Sequence, residues 1–271
     1  VVIVNGDANT NLAAALAARK LHMIVAHTEA GIRSGDWRMP EEHNRTIMDH
    51  VSDLLFASDQ TSVDALEAER VRGEIHIPGN TIVDAALISG KKADRESDIL
   101  ERLGVSPGGY AIATLHREET VDTKADLERA VLGLSRAAGE IGAPVVFFAH
   151  PRTRMRLEQF DLLDWAAQLP GVKLHEAVRY RDFQAALRGA VALFTDSGGA
   201  QQEACIHQIP CVTVKDVTEW PDTVRIGANR VVGVDPDRIA QGARDAIGVR
   251  EPWPIPFGDG SAARRIIEVV A

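Results

Sequence analysis

Five reactive side chains stand where apolar runs break off: Asp7, Glu29, His116, His150 and Ser197. In parallel α/β sheets ligands bind beyond the carboxyl ends of the strands, so polar groups gathered at those ends read as a reaction centre. Each has a plainer explanation by itself: Asp7 as a turn residue, His27 near Glu29 as a capped core histidine, His150 as a hydrogen-bonded strand end. Their recurrence on one edge is what points to chemistry. In Val191-Ala-Leu-Phe-Thr-Asp-Ser-Gly-Gly-Ala-Gln-Gln-Glu203 an apolar run stops at a turn with two glycines, and a helix is expected from about Ala200. Ser197, Gly198 and Gly199 let backbone and ligand come close, and the free N–H groups at the positive end of the helix favour an anion such as a diphosphate. The alternative for this segment is a tight βα connection in which Glu203 offsets the helix dipole, and the segment alone leaves both open. The other histidines, His22, His43, His50, His76, His175 and His207, form no constellation and read as structural or exposed.

The elements that must position these groups alternate strand and helix along the whole chain. Val1 to Val4, Met23 to Ala26, Leu54 to Ala57 and Glu74 to Ile77 read as strands. Helices are expected after each: one capped by Asn9 or Thr10, one running from Pro40-Glu41-Glu42 to Val51, one capped by Ser58, and one after Pro78-Gly79-Asn80-Thr81. The charged, small-residue stretch 90–96 places the connection to a second domain there or slightly before it. There Tyr110 to Leu115, Pro144 to Ala149, Val172 to Leu174, the Val191 run, Cys211 to Val214 and Arg230 to Val234 read as strands, and Pro236 to Ile247 and Ala262 to Val270 as the last helices. Short connections between alternating elements mean parallel sheets covered on both faces. The expected fold class is α/β, with two domains facing one another.

Composition narrows the partners. At 271 residues, 45% hydrophobic and 25% charged, the chain can bury two cores. Lys and Arg number 30 against 39 Asp and Glu, and the net charge of -9 argues against nucleic acid and anionic membranes while permitting a local basic pocket. No apolar run reaches membrane-spanning length. Cys205 and Cys211 lie in apolar settings and are expected as buried free thiols, which places the protein in a reducing cytoplasm. Neither CxxC nor HExxH occurs, so no metal site is expected. Gly258-Asp-Gly260-Ser-Ala-Ala263 follows a proline-broken segment instead of a strand, which argues against a dinucleotide cofactor. The chain opens on Val1-Val-Ile-Val, as though inside a strand. The expectation is a remainder of a longer chain, or a homodimer whose partner covers the apolar edge.

Taken together, the motifs carry a resemblance. Gly6-Asp7, His27-Thr-Glu-Ala-Gly-Ile-Arg33-Ser-Gly-Asp36, Pro40-Glu-Glu-His-Asn-Arg45, Pro78-Gly-Asn-Thr81, His116-Arg-Glu118, His150-Pro-Arg-Thr153, Thr195-Asp-Ser-Gly-Gly199 with Gln201 and Glu203, Thr218-Glu219, Gly227-Ala-Asn229 and Gly258-Asp-Gly260 resemble those of UDP-N-acetylglucosamine 2-epimerases. Their order and spacing cover essentially the whole chain. The resemblance implies a GT-B-like architecture: two Rossmann-like domains, here 1–90 and 91–255, a cleft between them, and a helix in 256–271 that returns to the first. It also implies a preceding βαβ region of roughly ninety residues with a Gly-Thr-Arg-Pro-Glu-like turn. Lys215 stands where an arginine is common and Asp222 where a glutamate is common.

The implied reaction, for UDP-GlcNAc and UDP-ManNAc, inverts C2 by eliminating UDP to a 2-acetamidoglucal and adding it back. It needs no cofactor. It does need carboxylates to take the C2 proton and return one on the other face, and cationic or N–H groups for the departing diphosphate. Asp7, Glu29 and Glu41 are the candidate carboxylates, and clustering them would raise at least one pKa. His116 is the candidate for contacting or protonating the diphosphate, with Arg45 and Arg117 adding charge and His150 at the neighbouring strand end. The resemblance gives Ser197, Gly198 and Gly199 the diphosphate and Glu203 the ribose hydroxyls. The rivals are a hydrolysing epimerase releasing ManNAc and UDP, a GT-B glycosyltransferase, and a non-catalytic UDP-sugar sensor.

Overall fold

A computed structural model describes residues 1–248 and 251–271. They form two compact units, one of Val1–Leu87 with Ile255–Ala271 and one of Ile88–Pro254. The first is a parallel four-stranded sheet in chain order: β1 (Val2–Asn5), β2 (Val25–Ala30), β3 (Leu54–Ala57) and β4 (Glu74–His76). Alternation along the strands sends side chains to opposite faces. Val4 and Val25 pack with Ala15 and Ala18 of the helix Asn9–Lys20 and Met48 of the helix Pro40–Val51, whereas Ala26 and Phe56 meet Ile266 of the final helix Ala262–Val270. β1 is an edge strand, and Ile3 and Ile24 beside it are exposed.

The second unit is a six-stranded parallel sheet. Its strands are β5 (Ala111–Thr114), β6 (Val145–Ala149), β7 (Val172–Glu176), β8 (Leu193–Thr195), β9 (Cys211–Thr213) and β10 (Asn229–Val231), in the order β10-β9-β8-β5-β6-β7. Both faces are buried: Ala111, Ala113, Val145 and Phe194 belong to one core, and Ile112, Val146, Phe148 and Leu193 to the other. This explains why the strands read as unbroken apolar runs. After β7 the chain returns to lay β8 against the far side of β5, so strand order reverses there. Such a switch point opens a crevice beyond the carboxyl ends. The register pairs Thr114 with Thr195, which brings the segments that follow, at His116 and Ser197, side by side.

Several local expectations are corrected. Asp59, not Ser58, caps the helix Gln60–Ala68, accepting from the Ser62 N–H at 2.8 Å. The helix Asn9–Lys20 starts from Ala8 with no side-chain cap, so neither Asn9 nor Thr10 serves. Residues 90–96 form the second half of the helix Thr81–Glu96, and the two units divide slightly before them, between Leu87 and Ile88. β2 runs to Ala30 and so contains the His27-Thr-Glu-Ala motif instead of ending before it. Among the described residues no helix is long and apolar enough to cross a membrane.

Candidate active site

In the first unit the carboxyl ends of β1 and β2 converge on one acidic corner. Gly6 turns the chain out of β1 with a φ of +72°, and Asp7 follows it. The Asp7 carboxylate accepts from Arg45 Nε at 2.9 Å and from its terminal nitrogen at 2.6 Å. Asn44, one residue earlier on the helix Pro40–Val51, donates to the Asp7 carbonyl at 2.8 Å. Glu29 sits at a break in the β2–β3 register with a φ of +66°, the left-handed region that a residue with a Cβ enters only when its surroundings hold it there. Its carboxylate accepts from Asn80 at 3.2 Å. Burial pushes the Glu29 carboxyl above its ordinary value, and the nearby Asp7 charge adds to this; the Asn80 hydrogen bond, His27 and Arg45 oppose it without cancelling it.

The loop that carries Asn80 is itself pinned. The Asn80 N–H donates to the Phe257 carbonyl at 2.7 Å, and Gly79 and Gly258, both at positive φ, lie so close that a Cβ on Gly258 would stand 3.2 Å from the Gly79 Cα. Gly258-Asp-Gly260 thus serves close packing of the Glu29 partner loop.

Glu41 lies at the second position of its helix, half-buried, one turn before Arg45, and the contacts described do not join it to Asp7 or Glu29. Its neighbour Glu42 is buried and bonded: it accepts from Arg45 at 2.9 Å, from the Ser34 N–H at 3.0 Å and from the Gly35 N–H at 3.0 Å. Burial would raise its pKa, but these donors together hold it below the usual range. Glu42 thereby ties the 34–35 loop to Arg45, a role the sequence reading did not assign.

In the second unit, Ser197 caps the helix Gly198–Ile206, which begins two residues earlier than expected. Its hydroxyl accepts from the Ala200 N–H at 3.4 Å, and its own N–H donates to Thr195 Oγ1 at 3.0 Å. Asp196, wholly buried, accepts from the backbone of His116 at 2.8 Å and of Arg117 at 2.9 Å, and His116 Nδ1 lies 3.2 Å from it. Asp196 therefore welds the loop after β5 to the turn after β8. It lay inside a quoted motif, yet a carboxylate ending an apolar run gives no sign of which N–H groups it will take.

His150 caps the helix Pro151–Gln159, its Nδ1 accepting from the Arg152 N–H at 3.3 Å, and its ring lies 5.2 Å from that of His116. Desolvation, then the neighbouring His116, lowers its pKa. Glu203 is 7% exposed, receives the Tyr180 hydroxyl at 2.6 Å, and is pushed up to about 7 by burial. These groups line a cavity of about 400 Å³ that includes His116, His150, Tyr180, Ser197, Gly199 and Glu203. Beside Gly198, Lys215 and Glu219 form a buried pair at 2.8 Å, and Lys215 holds Glu219 below its ordinary value against the effect of burial. Asp222 pairs with Arg225 at 2.8 Å. Tyr180 was missed as part of the cavity lining, whereas Lys215 and Glu219 were noted in the sequence without a role. Tyr180 lies 23 residues before its partner Glu203, with no local pattern to connect them. Among the described residues no group of three or more His, Cys, Asp or Glu could hold a metal ion.

Chemically, the two units offer complementary capacities. The acidic corner sets an ion-paired carboxylate beside one biased towards its protonated form, which suits giving and taking protons at carbon. The capped helix start, with its N–H groups and the imidazoles of His116 and His150, suits an anionic group.

Comparison with known proteins agrees on one family. The family model described as UDP-N-acetylglucosamine 2-epimerase matches residues 1–271. The UDP-N-acetylglucosamine 2-epimerase of Methanocaldococcus jannaschii is 40% identical over 273 residues, covering 100% of this chain and 75% of that one. The crystal structure of the enzyme from that organism, in complex with UDP-GlcNAc and UDP, superposes with a TM-score of 0.92 at 39% identity, over 99% of this chain and 75% of the other. The UDP-2,3-diacetamido-2,3-dideoxy-D-glucuronate 2-epimerase of Pseudomonas aeruginosa is 38% identical over 275 residues, covering 100% of this chain and 74% of that one.

Proposed function

The chain belongs to the UDP-N-acetylglucosamine 2-epimerase family, and from that premise we propose that it interconverts UDP-GlcNAc and UDP-ManNAc by eliminating UDP and adding it back. The observation that carries this reading is the pairing of Asp7 with Glu29, one carboxylate ion-paired to Arg45 and the other biased towards its neutral form by burial. Removal of the C2 proton with departure of UDP from C1 gives the 2-acetamidoglucal; return of UDP to C1, with a proton delivered to the opposite face of C2, gives the epimer. Asp7, Glu29 and Glu41 are the groups assigned to these proton transfers. The departing diphosphate is met by the N–H groups after Ser197, at Gly198 and Gly199, with His116, Arg117 and His150 adjacent, while Glu203 takes the ribose hydroxyls. A nucleotide gripped at both diphosphate and ribose stays through the glucal stage, which favours re-addition over release.

A cytoplasmic homodimer is part of the same reading. Both cysteines are buried free thiols, as a reducing compartment leaves them. Sedimentation equilibrium tests the assembly.

Incubation with UDP-GlcNAc in deuterated water tests the chemistry. The expected result is a UDP-GlcNAc and UDP-ManNAc mixture carrying deuterium at C2, with no free ManNAc. Free ManNAc plus UDP would make the enzyme hydrolysing, and no exchange at C2 would remove it from epimerisation altogether.

A further inference from the structure

Behind the acidic corner the first unit holds an ionic cluster with a buried centre that the proposed reaction does not use. His27 in β2 and Asp49 on the helix Pro40–Val51 are both completely buried. His27 Nδ1 lies 2.7 Å from Asp49 Oδ1, and Nε2 lies 3.2 Å from the Gly6 carbonyl oxygen. A carbonyl can only accept, and so can an ionised carboxylate. The other Asp49 oxygen takes the Arg33 guanidinium at 2.8 Å and the Gly31 N–H at 3.1 Å, donors that suit an ionised carboxylate. A ring that donates from both nitrogens satisfies both of these acceptors, the Asp49 carboxylate and the Gly6 carbonyl. Arg33 closes in turn on Glu69 through bonds of 2.7 and 2.8 Å, so a doubly protonated His27 would leave the cluster of His27, Asp49, Arg33 and Glu69 balanced in charge. Glu29 faces the same ring from its own strand.

The Gly6 carbonyl belongs to the planar peptide unit that supplies the nitrogen of Asp7. Fixing that carbonyl fixes the plane from which Asp7 leaves the chain, and Asn44 holds the Asp7 carbonyl on the far side. Gly6 has no side chain to help: a Cβ there would stand 3.2 Å from Glu29 Oε2. We propose that His27 and Asp49 are a positioning pair for Asp7, in which Asp49 keeps the ring doubly protonated so that its second N–H pins the Gly6–Asp7 peptide. This rests on the epimerase reading above.

Nitrogen NMR of the ¹⁵N-labelled full chain at the assay pH tests the protonation: both His27 ring nitrogens carry hydrogens in the wild type, and one is bare in Asp49→Asn. In steady state, Asp49→Asn and His27→Gln lower kcat for epimerisation roughly a hundredfold, the scale of a small misplacement of a reacting group, with KM for UDP-GlcNAc nearly unchanged. A bare ring nitrogen in the wild type overturns the proposal, as does wild-type kcat in both variants. Where a variant fails to fold, the wild-type spectrum decides by itself. Failure of the epimerase reading looks different: a wild type with both ring nitrogens protonated and no exchange at C2.

Discussion

Glu203→Gln separates the cost of burying an acid from the benefit of using it. Glu203 is 7% exposed, and burial raises its carboxyl from the ordinary 4.5 to about 7 despite the Tyr180 hydrogen bond. Between these two values the native state holds more protons than the unfolded chain, so stability falls as pH climbs from 4.5 to about 7 and is level above. At about 1.36 kcal/mol per pH unit, the ionised carboxylate destabilises the fold by on the order of 3 kcal/mol at pH 8. Glutamine keeps an oxygen for the Tyr180 hydroxyl but never ionises. The variant should therefore lose this pH dependence and exceed the wild type at pH 8 by up to about 3 kcal/mol in urea unfolding followed at pH 5 and pH 8. Its UDP affinity, measured by calorimetry, should fall about tenfold to a hundredfold, the scale of charged hydrogen bonds to ribose hydroxyls. Wild-type affinity should weaken below pH 7, approaching tenfold per unit, and comparison with the variant removes the titration of the diphosphate itself. Unchanged UDP affinity in Glu203→Gln would refute the ribose role. A variant no more stable than wild type at pH 8 would refute the burial argument.

The remaining predictions test the candidate groups of each unit and the residues that hold them. Asp7→Asn, Glu29→Gln and Glu41→Gln should each keep UDP affinity and lose deuterium exchange at C2, because amides preserve shape but transfer no proton; full exchange in all three would remove these carboxylates from the mechanism. Asp196→Ala leaves the His116 and Arg117 N–H groups without their acceptor, and should cost about 2 kcal/mol of stability together with UDP affinity; an unaltered urea midpoint would show that Asp196 does not hold the loop. Gly31→Ala forces a Cβ to 2.2 Å from the Ser62 carbonyl oxygen at a φ of +84°, and should destabilise the first unit by about 3 kcal/mol or more, read as an earlier thermal transition.

How much of this was legible in the sequence depends on the range over which each signal acts. In the second unit strand ends were visible because a sheet buried on both faces demands unbroken apolar runs, so Ser197 and the residues after β5 stood out where those runs stopped, and Asp7 stood out at the end of an apolar run although Ile3 there is exposed. The helix cap at Ser197 is also local chemistry, one hydroxyl and one N–H three residues on. Strand order is not local. Nothing in residues 110–196 states that β8 returns beside β5, yet that pairing of Thr114 with Thr195 is what puts His116 next to Ser197 and gives Asp196 its two backbone donors.

The choice between Glu41 and Glu42 shows the same limit at one helix turn. Both are first-turn acids, and either could reach Arg45, at i+4 or i+3. What gives Glu42 the bond to Arg45 is the 34–35 loop, whose N–H groups arrive from outside the helix and need an acceptor. Glu41 lies half-buried on the same turn, and among the described residues no backbone donor is seen on its carboxylate. A base that must move a proton has to have that freedom, so the exchange assay on Glu41→Gln, set against Glu42→Gln, distinguishes the two. Loss of exchange with normal folding in Glu41→Gln assigns chemistry to it; loss in Glu42→Gln accompanied by a lowered melting temperature assigns Glu42 to the scaffold that holds Arg45.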